Sequence, residues 1–277
     1  MKKANKISAL LLAGILSLGL LASCSSGSGS ATATPTAAPT EKPVTIASAA
    51  DLQGKKIAVQ EGTTGDILAT GIEGAQITRF KKATDCALEL INGRVDCVII
   101  DEMPAKKLVE ANSDKLQLLD FPASEEIEAY AIAIAKDNTE LLDKFNAALA
   151  TIKENGTYDL LFSEYISGED VELPAIPDYE SSGKLIMGTN AAFEPFEYRD
   201  DSNEVVGFDV DLAKYICAEL GVTLEISDMD FDALIPALET GKIDFIAAGM
   251  TATDERRQNV DFTDDYYEST QAIIVQK

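Results

Sequence analysis

The chain has 277 residues, 46% of them hydrophobic and 25% charged, with a formal net charge of −24. That length holds one or two domains with real cores, and that charge argues against nucleic acid as a partner, because such binding rests on cations that neutralise phosphates. There is no His and no Trp, and the four Cys (24, 86, 97 and 217) have no CxxC spacing; this excludes Ser-His-Asp and Cys-His nucleophiles and His-ligated metals, and leaves no metal or cofactor to expect.

Residues 1–8 are short and basic, and residues 9–21 are apolar but too short to cross a bilayer comfortably. Residues 1–23 therefore read as a secretory signal. Leu21-Ala22-Ser23-Cys24 resembles the bacterial lipobox, which implies lipidation at Cys24. Residues 24–44 are mostly Ser, Gly, Ala, Thr and Pro with almost no large apolar side chain, a composition for a tether rather than a packed unit. The expected place is the extracytoplasmic face of a bacterial cell membrane, held by the lipid.

From residue 45 the pattern becomes globular. Residues 56–60 read as a strand, and a polar Gly-bearing turn with Gly62, Thr63, Thr64 and Gly65 opens a helix at 67–71. A strand at 76–80, a helix with Ala87, Leu88, Leu90 and Ile91 on its apolar side, and a strongly apolar strand at 95–100 follow. Asp101 stands at the end of that strand as a helix N-cap, a ligand residue, or both. A helix at 104–111 starts with Pro at its first turn, and a short strand covers 116–119. Strands that alternate with helices argue for parallel α/β sheets covered on both faces, with ligands beyond the carboxyl ends of the strands. Cys86 and Cys97 flank one helix-strand pair; buried thiols are the plain reading and a disulfide the other.

Residues 129–135 form an apolar strand. Leu141, Phe145, Ala148, Leu149 and Ile152 mark one face of a helix at 139–155, and a second helix covers 158–166. Residues 167–182 are a polar connector with Pro174 and Pro177. A strand at 184–189 ends in Asn190, and Phe193 follows. A helix at 207–220 buries Leu212, Ala213, Ile216 and Cys217. Further elements are a strand at 223–226, a helix at 231–239, a strand at 245–248 and a last strand at 271–275. After 245–248 comes the polar turn Gly249 to Arg256. Its backbone N–H groups and the dipole of a following helix would favour a carboxylate, Arg256 adds a planar fork, and Thr251 adds a hydroxyl. Phe193 and Phe231 lie at element ends, as core or as the apolar walls of a pocket beside Arg256.

Five blocks, GKKIAVQEGTTGD (54–66), GRVDCVIIDE (93–102), GTNAAFEPFEY (188–198), GFDVDLAKYI (207–216) and DFDALIPALETGKIDFIAAGMTATDERRQNVDFTDDYY (230–267), together with the 130–166 region, resemble the extracellular solute-binding proteins, family 3 type, of polar amino acid ABC transporters. The resemblance implies an α/β fold of two lobes, the periplasmic-binding-protein-like type II fold. Its blocks stand in a different order from the family's. The block beginning at Gly188 comes first there, so the chain reads as circularly permuted, with residues 45–127 as lobe 2, 128–166 as the C-terminal part of lobe 1, 167–182 bridging the old ends, and 183–277 as the main part of lobe 1. On this reading the new termini fall in one of two crossovers between lobes, leaving one near residues 126–129. A tandem-repeat fragment or two chains exchanging lobes are the other origins.

Carried over residue by residue, the resemblance implies that Arg256 grips a ligand α-carboxylate with backbone N–H groups of Thr251 and Thr64. Asp101 receives the α-ammonium with the Thr251 hydroxyl and the Gly249 carbonyl. Phe193 and Phe231 pack on the side chain, and Asn190, Gln60, Ala248 and Gly65 occupy specificity positions. A neutral Asn190 points to a neutral polar ligand such as glutamine. The expected partners are a free amino acid and ABC permease subunits, and the chain is expected as a monomer, or as a lobe-swapped dimer. The expected class is a receptor rather than an enzyme; a dehydratase on the same fold, a sensor ectodomain and a receptor that no longer binds are the rivals.

Overall fold

The computed structural model describes residues 45–176 and 178–277. The signal, Cys24 and the tether of the sequence reading lie outside the described residues. The chain runs β1 (Lys56–Gln60), α1 (Thr64–Thr70), β2 (Gln76–Phe80), α2 (Ala83–Ile91), β3 (Cys97–Asp101), α3 (Glu102–Ala111), β4 (Leu116–Leu118), β5 (Glu128–Tyr130) and β6 (Ala133–Ala135). It continues with α4 (Thr139–Glu154), α5 (Thr157–Phe162), β7 (Lys184–Thr189), β8 (Tyr198–Arg199), β9 (Val205–Val206), α6 (Phe208–Glu219), β10 (Thr223–Asp228) and α7 (Leu234–Glu239). It ends with β11 (Phe245–Ile246), β12 (Val260–Phe262), β13 (Tyr267–Ser269) and β14 (Gln271–Gln276).

These elements make two α/β lobes, each around a five-stranded sheet, the two-lobed type II architecture that the resemblance implies. Lobe 2 has the strand order β2-β1-β3-β14-β4, with β1, β2 and β3 parallel and β14 antiparallel to both neighbours. Lobe 1 has the order β10-β7-β11-β6-β12, with β6 antiparallel to β11 and β12. The sheets are therefore mixed rather than parallel throughout, because one strand in each arrives from the other lobe and enters in the reverse sense.

Period-two alternation explains why the lobe 2 sheet is covered on both faces. Ile57, Val59, Cys97, Ile99, Ile273 and Val275 bury one face with Leu52 and Ala69 of α1. Ala58, Val98, Ile100, Ala272 and Ile274 bury the other with Ala87 and Leu90 of α2 and Ala105 of α3. Ile46 joins the first cluster, beside Val275 in the same apolar group. In lobe 1 the stripe Phe145, Ala148, Leu149 and Ile152 is buried as its spacing predicts. Asn138 caps that helix by accepting the Leu141 N–H at 3.3 Å. The connector lies along lobe 1, where Tyr215 of α6 donates to the Pro174 carbonyl and Tyr179 to that of Val222.

Four expectations change. The last strand, placed by the sequence reading with residues 183–277 in lobe 1, lies in the lobe 2 sheet between β3 and β4. Its two apolar faces need cover on both sides, and only a central position gives that. The chain therefore crosses between lobes twice, at β5 and at β13, which pair antiparallel with Tyr267 opposite Tyr130 and Ser269 opposite Glu128; neither crossover is cut. The single strand expected at 129–135 is two strands, because Ala131 bonds to Met250 and Ile132 to Thr263 on the way from the ribbon to the sheet. The helix expected after Gly249 is a three-residue 3₁₀ turn, Arg256–Gln258, too short to supply a useful dipole. Cys86, Cys97 and Cys217 are free and buried, and burial pushes each thiol up to about 12.

Candidate functional site

Between the lobes lies a narrow cavity of about 10 Å³. Lobe 2 contributes the carboxyl ends of β1 and β3, with Gln60, Thr63, Thr64 and Asp101. Lobe 1 contributes the end of β7 and the turns around it, with Asn190, Phe193, Glu197 and Phe231, and the stretch after β11, with Ala248, Gly249, Thr251 and Arg256. Ten of the eleven ligand positions read from the sequence thus line this one cavity, from both lobes. Gly65 does not; it sits inside α1 where a Cβ would come within 2.7 Å of Gln271 Oε1 and 3.1 Å of the Ile99 carbonyl, so its role is close packing.

Arg256 is 7% exposed. Its guanidinium donates to the Thr251 carbonyl at 2.8 Å and, across the cleft, to the Gly62 carbonyl at 3.0 Å. It also lies 5.3 Å from the Phe231 ring centroid, an attractive cation–π distance. Two of its five donors are committed to backbone and the rest are free for an anion. Burial lowers its pKa, with Asp101 and Glu128 the leading opposing charges.

Asp101 ends β3 on the other lobe and accepts from Tyr130 Oη at 2.6 Å. Burial first, then the charge of Glu128, pushes its carboxyl up to about 7. The cap reading is not what the geometry provides, since the side chain makes no bond to the first turn of α3. The site therefore opposes one cation and one acid from different lobes.

Sequence reading missed three supports. Glu128, on the β5 crossover, accepts from Thr64 Oγ1 at 2.6 Å and from Thr251 Oγ1 at 2.9 Å. Gln271 Nε2 adds a third bond to the same oxygen at 3.3 Å. One carboxylate on the β5 crossover thus joins Thr251 of lobe 1 to Thr64 and Gln271 of lobe 2, and it occupies the Thr251 hydroxyl that the resemblance assigned to the ammonium. Asp209, in the first turn of α6, is 0% exposed and accepts from the Gly249 N–H at 2.8 Å and from Tyr266 Oη at 2.7 Å. It holds the turn at Gly249, whose φ of +52° and whose approach to Phe193 (2.7 Å from a Cβ to the ring) admit no side chain. Glu197, the third, closes the Phe193 turn, where the Phe193 N–H donates to its carbonyl at 2.8 Å. The acid-rich neighbourhoods of Glu128 and Glu197 look solvated in one dimension; only the fold buries Glu197 and half-buries Glu128.

Other ties cross the cleft. Gln60 Nε2 donates to Asn190 Oδ1 at 2.9 Å, and Asn190 Nδ2 to the Met229 carbonyl at 2.7 Å. At the rim Lys81 contacts both oxygens of Asp232 at 2.8 Å, an exposed pair of the kind that contributes about 0–1 kcal/mol.

Residues 185–277 match the bacterial extracellular solute-binding proteins, family 3. The arginine-binding extracellular protein ArtP of Bacillus subtilis (strain 168) is 48% identical over 94 residues, 34% of this chain and 36% of that protein. The ABC transporter arginine-binding protein 1 of Escherichia coli (strain K12) is 40% identical over 94 residues, 34% and 39% of the two chains. The chain thus spans less than two fifths of the length of these curated relatives. Among solved structures, the arginine-bound form of domain 1 from TmArgBP is 48% identical over 34% of this chain and 81% of its own, with a TM-score of 0.31. An ancestral arginine-binding protein, solved with arginine and with glutamine, is 54% identical over 31% of this chain and 38% of its own, with TM-scores of 0.31 and 0.30.

Proposed function

We propose, from the premise that the chain belongs to the bacterial extracellular solute-binding proteins, family 3, that it captures a free polar α-amino acid between its lobes and delivers it to an ABC importer. One observation carries the reading: Arg256 from lobe 1 and Asp101 from lobe 2 face the same buried cavity. A zwitterion brings one anion and one cation, and each meets its opposite from a different lobe. Both charge-assisted bonds exist together only when the lobes are closed, so the ligand favours closure by its differential affinity. Phe193 and Phe231 supply apolar walls for the side chain, and Gln60 and Asn190 a polar end. Arginine is the ligand in the names of the curated relatives above, which supports trying polar side chains first.

Anchoring by a lipid at Cys24, a tether over 24–44 and docking on permease subunits complete the proposal, and the order of blocks is read as a circular permutation. Removing one partner of a buried charge pair costs on the order of 2–5 kcal/mol. Arg256→Ala and Asp101→Ala are therefore each expected to abolish ligand-induced thermal stabilisation across the twenty amino acids. Wild-type calorimetric affinity in either variant would remove the assignment. A dehydratase reading has one observation in its favour, a carboxyl at Asp101 held protonated by burial and so able to act as an acid; turnover of a prephenate-like acid would establish it.

A further inference from the structure

The wall between Thr64 and Thr251 has an outer side as well as an inner one. Both residues, whose hydroxyls donate to Glu128, line the ligand cavity and also an open groove of about 660 Å³ on the surface. Lobe 2 gives that groove Ile67 and Leu68 of α1, lobe 1 gives it Asp254 and Glu255, and the approach to β5 gives it Glu126 and Ile127. A depression of about 320 Å³ shares Ile67, Thr253 and Glu255 with it, so the groove runs on along the joint between the lobes.

Two features set this surface apart. Ile67 is 53% exposed and Ile127 65%, and an exposed apolar patch with a polar rim is the usual mark of an interaction site. The rim is acidic. Glu126, Asp254 and Glu255 are exposed, and none of the ion pairs of the described residues involves them. No Lys or Arg lines the groove. A further groove lined from both lobes presents Lys82, Lys107 and Arg199 and none of the exposed large apolar residues. Two of its cations are already paired, Lys107 with Glu110 and Arg199 with Asp228.

Charge narrows what covers Ile67 and Ile127. A second copy of the chain brings a net charge of −24 and the same acids, which repel. An anionic membrane surface meets no cation here. Residues 24–44 carry one acid, Glu41, and one base, Lys42, and so complement neither the apolar pair nor the rim.

We propose that the groove docks a cationic segment of a protein partner, a loop or helix end in which Lys or Arg flank one large apolar side chain. The apolar tip covers Ile67 and Ile127, and the cations meet the acidic rim. This rests on the receptor reading, on which the partner is a membrane subunit of the importer. The groove has a wall on each lobe, so a segment seated in it favours closed lobes by its differential affinity for them. The amino acid does the same from the inside. Each therefore strengthens the binding of the other by the same factor, and Glu128, which holds Thr64 and Thr251 at the wall they share, lies between them.

The probe is a fluorescent peptide, Lys-Arg-Leu-Arg-Lys, titrated by anisotropy against the full chain beside a companion with Ser in place of Leu. The Leu peptide is expected to bind about tenfold or more tightly than its companion, the value of one buried apolar side chain. Ile127→Asp should remove that preference. Asp254→Asn with Glu255→Gln should weaken the Leu peptide about threefold or more, whereas Asp143→Asn with Glu154→Gln, which takes two exposed charges from α4, should change it less than about twofold. A mixture of the twenty amino acids should tighten the peptide about fivefold or more. Equal losses in the groove and α4 variants, or no preference for Leu over Ser, overturn the proposal. So does a wild-type dimer in sedimentation that Ile127→Asp dissociates, which gives the groove to a second copy, or retention on anionic vesicles that the same variant loses. If the mixture stabilises the protein against heat and leaves the peptide's affinity unchanged, this proposal falls and the receptor reading stands. If the mixture gives no stabilisation, the receptor reading falls and takes this one with it.

Discussion

Asp101 answers to opposite demands before and after a ligand arrives. Without a cation beside it, burial and Glu128 favour the protonated carboxyl, up to about pH 7. Between the ordinary value of 3.8 and about 7 the folded protein holds a proton that the unfolded chain has lost. Asp101 thus stabilises the fold least at the top of that window, and its contribution falls as pH rises through it. An α-ammonium reverses the preference, because it pairs with the carboxylate. Binding below about pH 7 should therefore release a proton at Asp101, and affinity should rise with pH by up to about tenfold per unit before levelling. Calorimetry in buffers of different ionisation enthalpy counts that proton. A flat affinity from about pH 5 to 7 would mean that Asp101 does not receive the ammonium.

At the scale of elements, the crossover strand β5 links the site to the hinge. Glu128 takes hydroxyl bonds from Thr64 on lobe 2 and Thr251 on lobe 1, so opening the lobes must break at least one of them. Hydrogen bonds to a charged acceptor contribute about 1.5–3 kcal/mol each. Glu128→Ala should shift the ligand-free protein toward open lobes, seen as a larger radius of gyration in X-ray scattering. Ligand affinity should weaken by about tenfold or more, because closure is less favourable. An unchanged radius and affinity would reduce Glu128 to a packing residue. The strand also marks where sequence reading stops. The apolar alternation of β1, β3 and α4 gave those elements and their buried faces, since period and spacing are local properties. Arg256, Asp101, Phe193 and Phe231 were legible because motif and chemistry coincide. Glu128, Glu197 and Asp209 were not, because each is defined by what lies across from it. For the same reason the run 129–135 looked like one strand and β14 like a strand of the wrong lobe: an apolar run shows that it is buried, not beside which partner.

For the whole molecule, the position of β14 changes what a reordered chain must tolerate. The sequence reading placed the break in a crossover, where it would have left one strand to guide closure. The two crossovers instead run side by side as the β5–β13 ribbon, and β14 carries the chain on into the lobe 2 sheet. Hinge closure of the usual kind bends a few residues in such connections, and both connections are present. On the permutation proposal, Lys277 and the segment around residue 45 were once continuous. Their positions agree with this: the Lys277 N–H donates to the Lys115 carbonyl within lobe 2, and Ile46 packs in the same apolar cluster as Val275. Permutation is tolerated where old ends lie near one another on the surface, and the connector that joins α5 to β7 spans that distance along lobe 1. A chain rebuilt as residues 184–277 followed by 45–166, without the connector, should then fold as a monomer and bind the same amino acid within about tenfold, or about 1.4 kcal/mol. Its free termini would add some local entropy near α5 and β7 but alter no cavity residue. A rebuilt chain that is folded yet does not bind would mean that the present order has become part of the site. A wild-type chain that sediments as a dimer would instead favour two copies exchanging lobes, since the ribbon could then form between chains as readily as within one.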